Sequence, residues 1–209
     1  MQTVMSKLLP VALFSACLWA QDAAESFRQG VAFAQHGDYE LAETAFRNAC
    51  ERQPSLANGC LYYGRSLYLL NRFQAAIPVL RRTVPSAESY RLLALSLEAL
   101  GQAAEAGDAF REALRLNRGG APDEDPGIDY GVFLTRQGHA DQAIAPLEQV
   151  LKRHPDAGRA HLELGCSLLG LDRLAEAAGH LERALELHPD GERAHLLLEK
   201  IRRRLEAGK

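Results

Sequence analysis

This sequence contains little of what marks a membrane protein, a nucleic-acid binder or a zinc protein. Its longest apolar run covers residues 8–20, which is shorter than the roughly 20 residues that a helix needs to cross a bilayer. Its 24 basic and 27 acidic residues are interspersed and give a net charge of -3, so the basic stripe expected of a nucleic-acid surface is missing. The four cysteines include no Cys-x-x-Cys pair, which argues against structural zinc.

Catalytic motifs are missing as well. The sequence has no His-Glu-x-x-His pair, no Gly-rich phosphate loop and no Gly-x-Ser-x-Gly elbow, the patterns that mark common metal-dependent, phosphate-binding and hydrolytic sites. We therefore predict a protein that is not an enzyme and that uses no cofactor or metal.

Two polar patterns leave alternatives open. His154 and His188 stand 34 residues apart, as do His161 and His195, and such repeated side chains could converge on a metal or a haem. The acidic run 123–125 could suggest calcium, but it lacks the Gly and the distal Glu of a helix–loop–helix calcium site. We interpret the histidines as residues that the repeat tolerates and the acidic run as the start of a helix.

The N-terminal segment differs in composition from the rest of the chain. Lys7 is its only charged residue, and the apolar run 8–20 follows it. This arrangement is typical of a secretory signal that is cleaved after Ala20. We therefore predict a signal peptide over residues 1–20, a periplasmic or secreted location, and no membrane span in the mature chain. Lipidation at Cys17 and an apolar N-terminal helix are the alternatives.

An internal repeat runs through the remainder of the chain. The segment HPDAGRAH at 154–161 returns 34 residues later as HPDGERAH at 188–195. Good helix formers such as Ala, Leu, Glu, Arg and Gln dominate this part, and runs of the β-branched residues that favour strands are missing. A period of this length indicates an internal repeat architecture, and the composition favours helices.

The repeat resembles the tetratricopeptide repeat, in which each unit is a pair of antiparallel helices with small residues where the two helices meet. The resemblance implies an all-α, right-handed solenoid of about five helix–turn–helix units and a C-terminal capping helix. Its predicted parts are units 1–3 over 23–116, a Gly-, Pro- and acid-rich loop over 117–125, units 4–5 over 124–191, and the capping helix over 192–209.

Several features depart from the family pattern. The second unit is short and ends at 83–85. Pro78 and Pro146 are predicted inside second helices, where proline removes a backbone hydrogen bond and can kink the helix. The loop after unit 3 lengthens the usual spacing and is predicted as a bend. The sequence Asp125-Pro126 is typical of an N-cap followed by proline at the first helical position.

The cysteines Cys50 and Cys60 are predicted at the end of one helix and the start of the next, where they would face each other across a turn. If the chain is exported to an oxidising compartment, we expect a disulfide between them. Cys166 then has no partner and is interpreted as a small core or groove residue.

In this family the first helices line a concave face on which ligands lie. The known clamp for C-terminal carboxylates, built from Lys, Asn and Arg, is absent, because the matching positions hold mostly apolar residues. Tyr and Arg side chains, which are enriched at interface hot spots, occur among the predicted partner-binding residues. These are Phe27, Val31, Leu61, Tyr62, Arg65, Tyr68, Arg91, Leu95, Ile128, Asp129, Val132 and Leu162.

The predicted function is therefore a non-catalytic interaction scaffold of the cell envelope that binds a peptide or a protein segment in this groove. Two alternatives remain: an envelope assembly factor or lipoprotein of the pilus or secretion type, and a self-associating structural protein.

Overall fold

The computed structural model describes residues 22–54 and 58–207, and all regular structure in those ranges is helical. The predicted signal peptide and Cys17 lie outside the described residues. The helices are α1 (22–36), α2 (Tyr39–Arg52), α3 (Gly59–Leu69), α4 (Phe73–Leu80), α5 (Ala87–Ala99), α6 (Ala103–Leu116), a 3-10 turn (Pro122–Glu124), α7 (Pro126–Arg136), α8 (Ala140–Arg153), α9 (Gly158–Gly170), α10 (Leu174–Leu187) and α11 (Glu192–Ala207). The fold is of the all-α helical-repeat class, as the repeat predicts.

The chain divides into two compact units, the first ending at Ala106 and the second beginning at Gly107. The division falls inside α6, whereas the sequence suggested a bend in the loop over 117–125. Compact units separate where few contacts join them, and the Gly- and Pro-rich composition of a loop does not show where that is.

In the first unit, close approach of paired helices depends on small residues. A Cβ placed on Gly30 would lie 2.7 Å from the ring of Phe46, and one on Gly64 would lie 2.5 Å from Leu80 Cδ2. Phe46 and Leu80 are buried, so the glycines of the first helices make room for the large residues of the second helices. Helix α3 also packs against α5, which joins successive pairs.

The second unit repeats this arrangement. A Cβ on Gly131 would lie 2.6 Å from Leu147 Cγ, and one on Gly165 would lie 2.8 Å from Leu181 Cγ. Helix α9 contacts α7, α8, α10 and α11, so the first helices of successive pairs are neighbours. The buried face of α11 carries Ile201, which completes the core at this helix.

The turn inside each pair needs a residue with positive φ. Gly37, Gly101 and Gly138 have φ values of 82°, 75° and 84°, a region that is open to glycine at little cost. Asn71 and Asp172 occupy the equivalent turns with φ values of 56° and 60°. Asn and Asp are the side chains that tolerate this region best after glycine, so a residue with positive φ follows each of α1, α3, α5, α7 and α9.

The predicted irregularities have different outcomes. Helix α4 is short and contains Pro78, in agreement with the short second unit, whereas α8 runs from Ala140 to Arg153 as one helix around Pro146. The N-cap prediction at Asp125 is confirmed, because its Oδ1 accepts from Gly127 N at 2.9 Å and Pro126 is the first helical residue.

Candidate functional site

A surface pocket in the first unit lies between α1, α2 and α3. It is open to solvent and holds about 270 Å³, close to the lower end of the about 300–1,000 Å³ typical of small-ligand pockets, and this is enough for one bulky side chain. Its lining is mainly apolar, with one guanidinium at its edge, and Leu69 keeps 46% of its surface exposed. The lining residues are Val31, Ala34, Gln35, Tyr39, Phe46, Tyr62, Arg65, Ser66 and Leu69.

Two residues that line the pocket, Phe46 and Tyr62, form an aromatic cluster with Phe27. The ring centroids of Phe27, Phe46 and Tyr62 lie 5.2–5.5 Å apart in each pair, the spacing of favourable tilted and edge-to-face contacts. Phe46 is fully buried, while the other two are half-buried. The predicted contact residues Phe27 and Tyr62 therefore also hold α1, α2 and α3 together, and truncating them would weaken the fold as well as the surface.

The other predicted residues of the first unit are half-buried and lie on α1, α3 and α5. Arg65 Nη1 pairs with Glu88 Oε1 at 3.2 Å, which links the pocket edge to α5. The ring of Tyr68 packs against Phe73 at 5.7 Å. Only three of the eight predicted residues in this unit line the pocket; those outside it are Phe27, Leu61, Tyr68, Arg91 and Leu95.

In the second unit the prediction needs a correction at two positions. Ile128 is 0% exposed and Asp129 is 6% exposed, so neither side chain offers surface to a partner. Ile128 belongs to the core of α7, and the Asp129 carboxylate forms an ion pair with Arg159 at 2.5 Å. Val132 and Leu162 are half-buried and remain available at the surface.

A second ion pair repeats this contact on the next helix. Arg193 donates to both carboxylate oxygens of Glu163, at 2.6 Å and 3.2 Å, and its Nη2 lies 3.3 Å from Cys166 Sγ. Burial, with the nearby Glu163 carboxylate, raises the pKa of the Cys166 thiol to about 11, although Arg193 acts in the opposite direction. The thiol is therefore protonated at neutral pH and is a poor nucleophile.

Two histidines also meet in the second unit. His161 Nδ1 and His180 Nδ1 are 3.0 Å apart, and His161 Nε2 lies 3.0 Å from the carbonyl oxygen of Pro155. A carbonyl can only accept, so His161 Nε2 donates, its Nδ1 accepts in the neutral ring, and His180 Nδ1 donates. Burial, followed by the charge of a protonated His161, lowers the pKa of His180.

Cys50 and Cys60 are joined by a disulfide, with Cα atoms 4.6 Å apart, between the end of α2 and the start of α3. Both residues are buried. Across the ranges described above, no group of three or more His, Cys, Asp or Glu side chains is placed to hold a metal ion. In the same ranges, the helices are too short or too polar to cross a bilayer.

Sequence reasoning missed part of the pocket and one of the two ion pairs of the second unit. Tyr39 and Leu69 line the pocket although they were not predicted, and the Arg193–Glu163 pair was not anticipated. A signal for the pair exists, since Arg193 follows Arg159 by one repeat and Glu163 follows Asp129 by the same interval. Whether Leu69 is exposed depends on its neighbours in space, which the spacing alone does not give.

Comparison with known proteins agrees with this architecture. One tetratricopeptide repeat model matches residues 27–90 and 134–192, and a second matches 87–119. No curated protein matches the sequence.

Several solved structures share the fold. PilF of Pseudomonas aeruginosa superposes with a TM-score of 0.75 at 17% identity, over 90% of this chain and 86% of that one. A thermophilic TPR protein of Thermus thermophilus, TTC0263, gives 0.64 at 23% identity, over 86% and 98%. YrrB, described as a TPR protein with an unusual peptide-binding site, gives 0.63 at 20% identity, over 83% and 90%. At these identities the likeness establishes the fold.

Proposed function

The chain belongs to the tetratricopeptide repeat family, and from that premise we propose that it is a non-catalytic scaffold that captures a peptide or protein segment. The observation that carries this proposal is the first-unit pocket, where apolar side chains of three helices surround a volume that fits one side chain. Sites built on packed helices are held in place before the ligand arrives, which reduces the entropy lost on binding. The same fold in YrrB carries a peptide-binding site.

The chemistry of the pocket indicates how a segment would bind. A bulky apolar side chain of the ligand would enter beside Val31 and Leu69 and rest on the half-buried Tyr62 ring. Arg65 stands at the edge, where its guanidinium can donate to a backbone carbonyl or a carboxylate of the ligand. The apolar contact would supply most of the affinity, and Arg65 would fix the orientation of the ligand.

The proposed location is the cell envelope. Two observations support it: residues 1–20 have the composition of a secretory signal, and the buried Cys50–Cys60 disulfide is a bond that persists in oxidising compartments. Mass spectrometry of the N-terminal peptide, from protein purified from its native host, tests whether the signal is cleaved. Cleavage after Ala20 is the expected result, and an intact Met1 in a cytoplasmic fraction would reject it. Palmitate labelling that disappears in Cys17→Ser would favour the lipoprotein alternative.

The pocket is tested by capture of partners from the envelope fraction. Leu69→Lys places a charge in the pocket, and Leu41→Lys makes the same change at an exposed leucine of α2 that does not line it. We expect the wild type and Leu41→Lys to retain the same partner by mass and Leu69→Lys to lose it, with equal helix content in all three proteins. Equal recovery by all three would remove the pocket from the proposed function.

A further inference from the structure

Two imidazole rings of the second unit, His161 on α9 and His180 on α10, bring a pair of ring nitrogens together. Their Nδ1 atoms are 3.0 Å apart, and the ring planes are tilted by 31° with centroids 5.2 Å apart. Both residues are half-buried. The rings are therefore held by packing between two helices, and they keep part of their surface open to an ion from solvent.

A backbone contact fixes the orientation and the tautomer of His161. Its Nε2 lies 3.0 Å from the carbonyl oxygen of Pro155. Because a carbonyl oxygen can only accept, Nε2 carries the proton and Nδ1 keeps its lone pair in the neutral ring. Histidines that bind metals in proteins are commonly held in this way, with the other ring nitrogen donating to a backbone carbonyl. His161 Nδ1 is therefore positioned as a ligand before an ion arrives.

The distance between the two Nδ1 atoms indicates which ion they suit. An imidazole nitrogen lies about 2.0–2.1 Å from a bound zinc ion, and copper–nitrogen bonds are of similar length. Two such ligands are then about 2.9 Å apart at a right angle and about 3.3–3.4 Å apart at the tetrahedral angle. The observed 3.0 Å is nearer to the right angle of the tetragonal geometry that Cu(II) adopts with nitrogen and oxygen ligands. Cu(II) also binds such ligands more tightly than the other divalent first-row ions do.

The charged groups around the two rings favour a cation. Burial, and then the charge of a protonated His161, lower the pKa of His180, while the carboxylates of Glu148 and Glu176 act in the opposite direction. Glu148 lies on α8 and Glu176 lies on α10, so acids approach from two helices. Arg173 pairs with Glu176 at 2.7 Å. Two acids and one arginine give these neighbours a net negative charge, which attracts a divalent cation.

We propose that His161 and His180 form a Cu(II) site, with one Nδ1 from each ring and water in the remaining positions. The sequence predicted no metal, because the repeat relates His161 to His195 and gives no sign of His180. The site has two protein ligands, in described ranges where no group of three or more metal-binding side chains occurs. It lies in the second unit and does not depend on the proposed scaffold function.

Binding would exchange a hydrogen bond for two metal–nitrogen bonds. His180 Nδ1 donates to His161 Nδ1 in the metal-free protein, so its proton must move to Nε2 before both lone pairs can face the ion. This is a change of tautomer in a neutral ring, and it releases no proton. The bound ion would connect α9 to α10.

His195 provides a matched control. It follows His161 by one repeat, and its Nε2 makes the same contact with a carbonyl oxygen, that of Pro189, at 3.1 Å. It also has acids nearby, because Glu182 and Glu199 line the same cleft. Among the residues that the structure describes, no second imidazole contacts His195. His195 therefore matches His161 in orientation and acidic surroundings but lacks the second ring.

The test adds Cu(II) to the metal-free full chain at about pH 7.5, where histidine is mostly neutral. Isothermal titration calorimetry compares the wild type with His161→Gln, His180→Gln and His195→Gln, after circular dichroism has shown equal helix content. Electron paramagnetic resonance of the wild-type complex is a second measurement that needs no variant, because it counts the imidazole nitrogens bound to copper. A titration of the wild type with Zn(II) tests the choice of ion.

We expect the wild type to bind one Cu(II) tightly, with two coupled imidazole nitrogens, and to bind Zn(II) more weakly. His161→Gln and His180→Gln should each weaken Cu(II) binding at least about tenfold, and His195→Gln should change it by less than about twofold. Equal affinity in all four proteins, or an equal loss in His195→Gln, would assign the copper to other groups of the chain and overturn the inference. Tighter binding of Zn(II), or a spectrum with fewer than two coupled nitrogens, would also overturn it.

Discussion

Arg193 donates to both carboxylate oxygens of Glu163, and one repeat earlier Arg159 donates to Asp129 Oδ1. Asp129 lies on α7 and Arg159 on α9. Glu163 lies on α9 and Arg193 on α11. These ion pairs therefore connect α7 to α9 and α9 to α11. Both acids are buried and both arginines are partly exposed. Removal of the arginine should therefore affect the stability of the protein differently from removal of the acid.

Arg193→Ala should destabilise the protein more than Glu163→Gln. The first change leaves a buried carboxylate without its cation, whereas the second leaves an arginine that can turn into water. Because the Arg193 side chain is largely exposed, we expect a loss of only about 1–2 kcal/mol for Arg193→Ala and about half of that for Glu163→Gln. Urea unfolding followed by circular dichroism measures both values. The double variant Arg193→Ala with Glu163→Gln should lose less free energy of unfolding than Arg193→Ala alone. A larger effect of Glu163→Gln would contradict this account.

Reduction of the Cys50–Cys60 bond should lower the free energy of unfolding of the first unit. The bond closes a chain segment with a sequence separation of 10, for which the chain-entropy model gives about 2–3 kcal/mol. Thermal unfolding with and without a thiol reductant measures the difference. In Cys50→Ser with Cys60→Ser the reductant should have no further effect, and a continued effect would assign the change to another cause.

The repeat made most of the fold predictable. Small residues at Gly30, Gly64, Gly131 and Gly165 lie where the helices of a pair meet, as expected, because their fixed period is a local property of the sequence. The large side chains that these glycines face within the pair were not predicted. The turn residue Asn71 was not recognised, although it follows Gly37 by one repeat length. Its positive φ could have been inferred from that spacing, since Asn is among the residues that tolerate this region.

The candidate surface was predicted less completely. The family pattern placed Ile128 on the ligand side of its helix, but the structure buries it fully. Position within a repeat fixes the direction of a side chain, whereas its exposure depends on how the neighbouring helices cover it. The exposure of Leu69 has the same origin, so the pocket emerges only when the helices are assembled.

Two glycines of the second unit should respond to alanine in opposite directions. A Cβ on Gly165 would lie 2.8 Å from Leu181 Cγ and 3.3 Å from the backbone oxygen of Ala177, whereas one on Gly179 meets nothing within 4 Å. We expect Gly165→Ala to cost about 1–3 kcal/mol through overpacking. Gly179→Ala, at an exposed position inside α10, should gain up to about 1 kcal/mol from helix propensity. Urea unfolding measures the change in stability of both variants. If both changes had the same sign, the explanation by the tight contact at Gly165 would be contradicted.

The His161–His180 contact should make stability depend on pH. The pKa of His180 is lowered in the folded protein, first by burial and then by the charge of a protonated His161, while Glu148 of α8 and Glu176 of α10 partly offset these effects. A base with a lowered folded pKa binds fewer protons in the folded state than in the unfolded state, so stability falls as the pH drops below the ordinary value of about 6.5. His180→Gln keeps an N–H donor for His161 Nδ1 but does not titrate. Between about pH 7.5 and pH 5 the wild type should therefore lose more unfolding free energy than this variant, as measured by urea denaturation at each pH. Identical pH profiles for the two proteins would show that the histidine pair does not contribute.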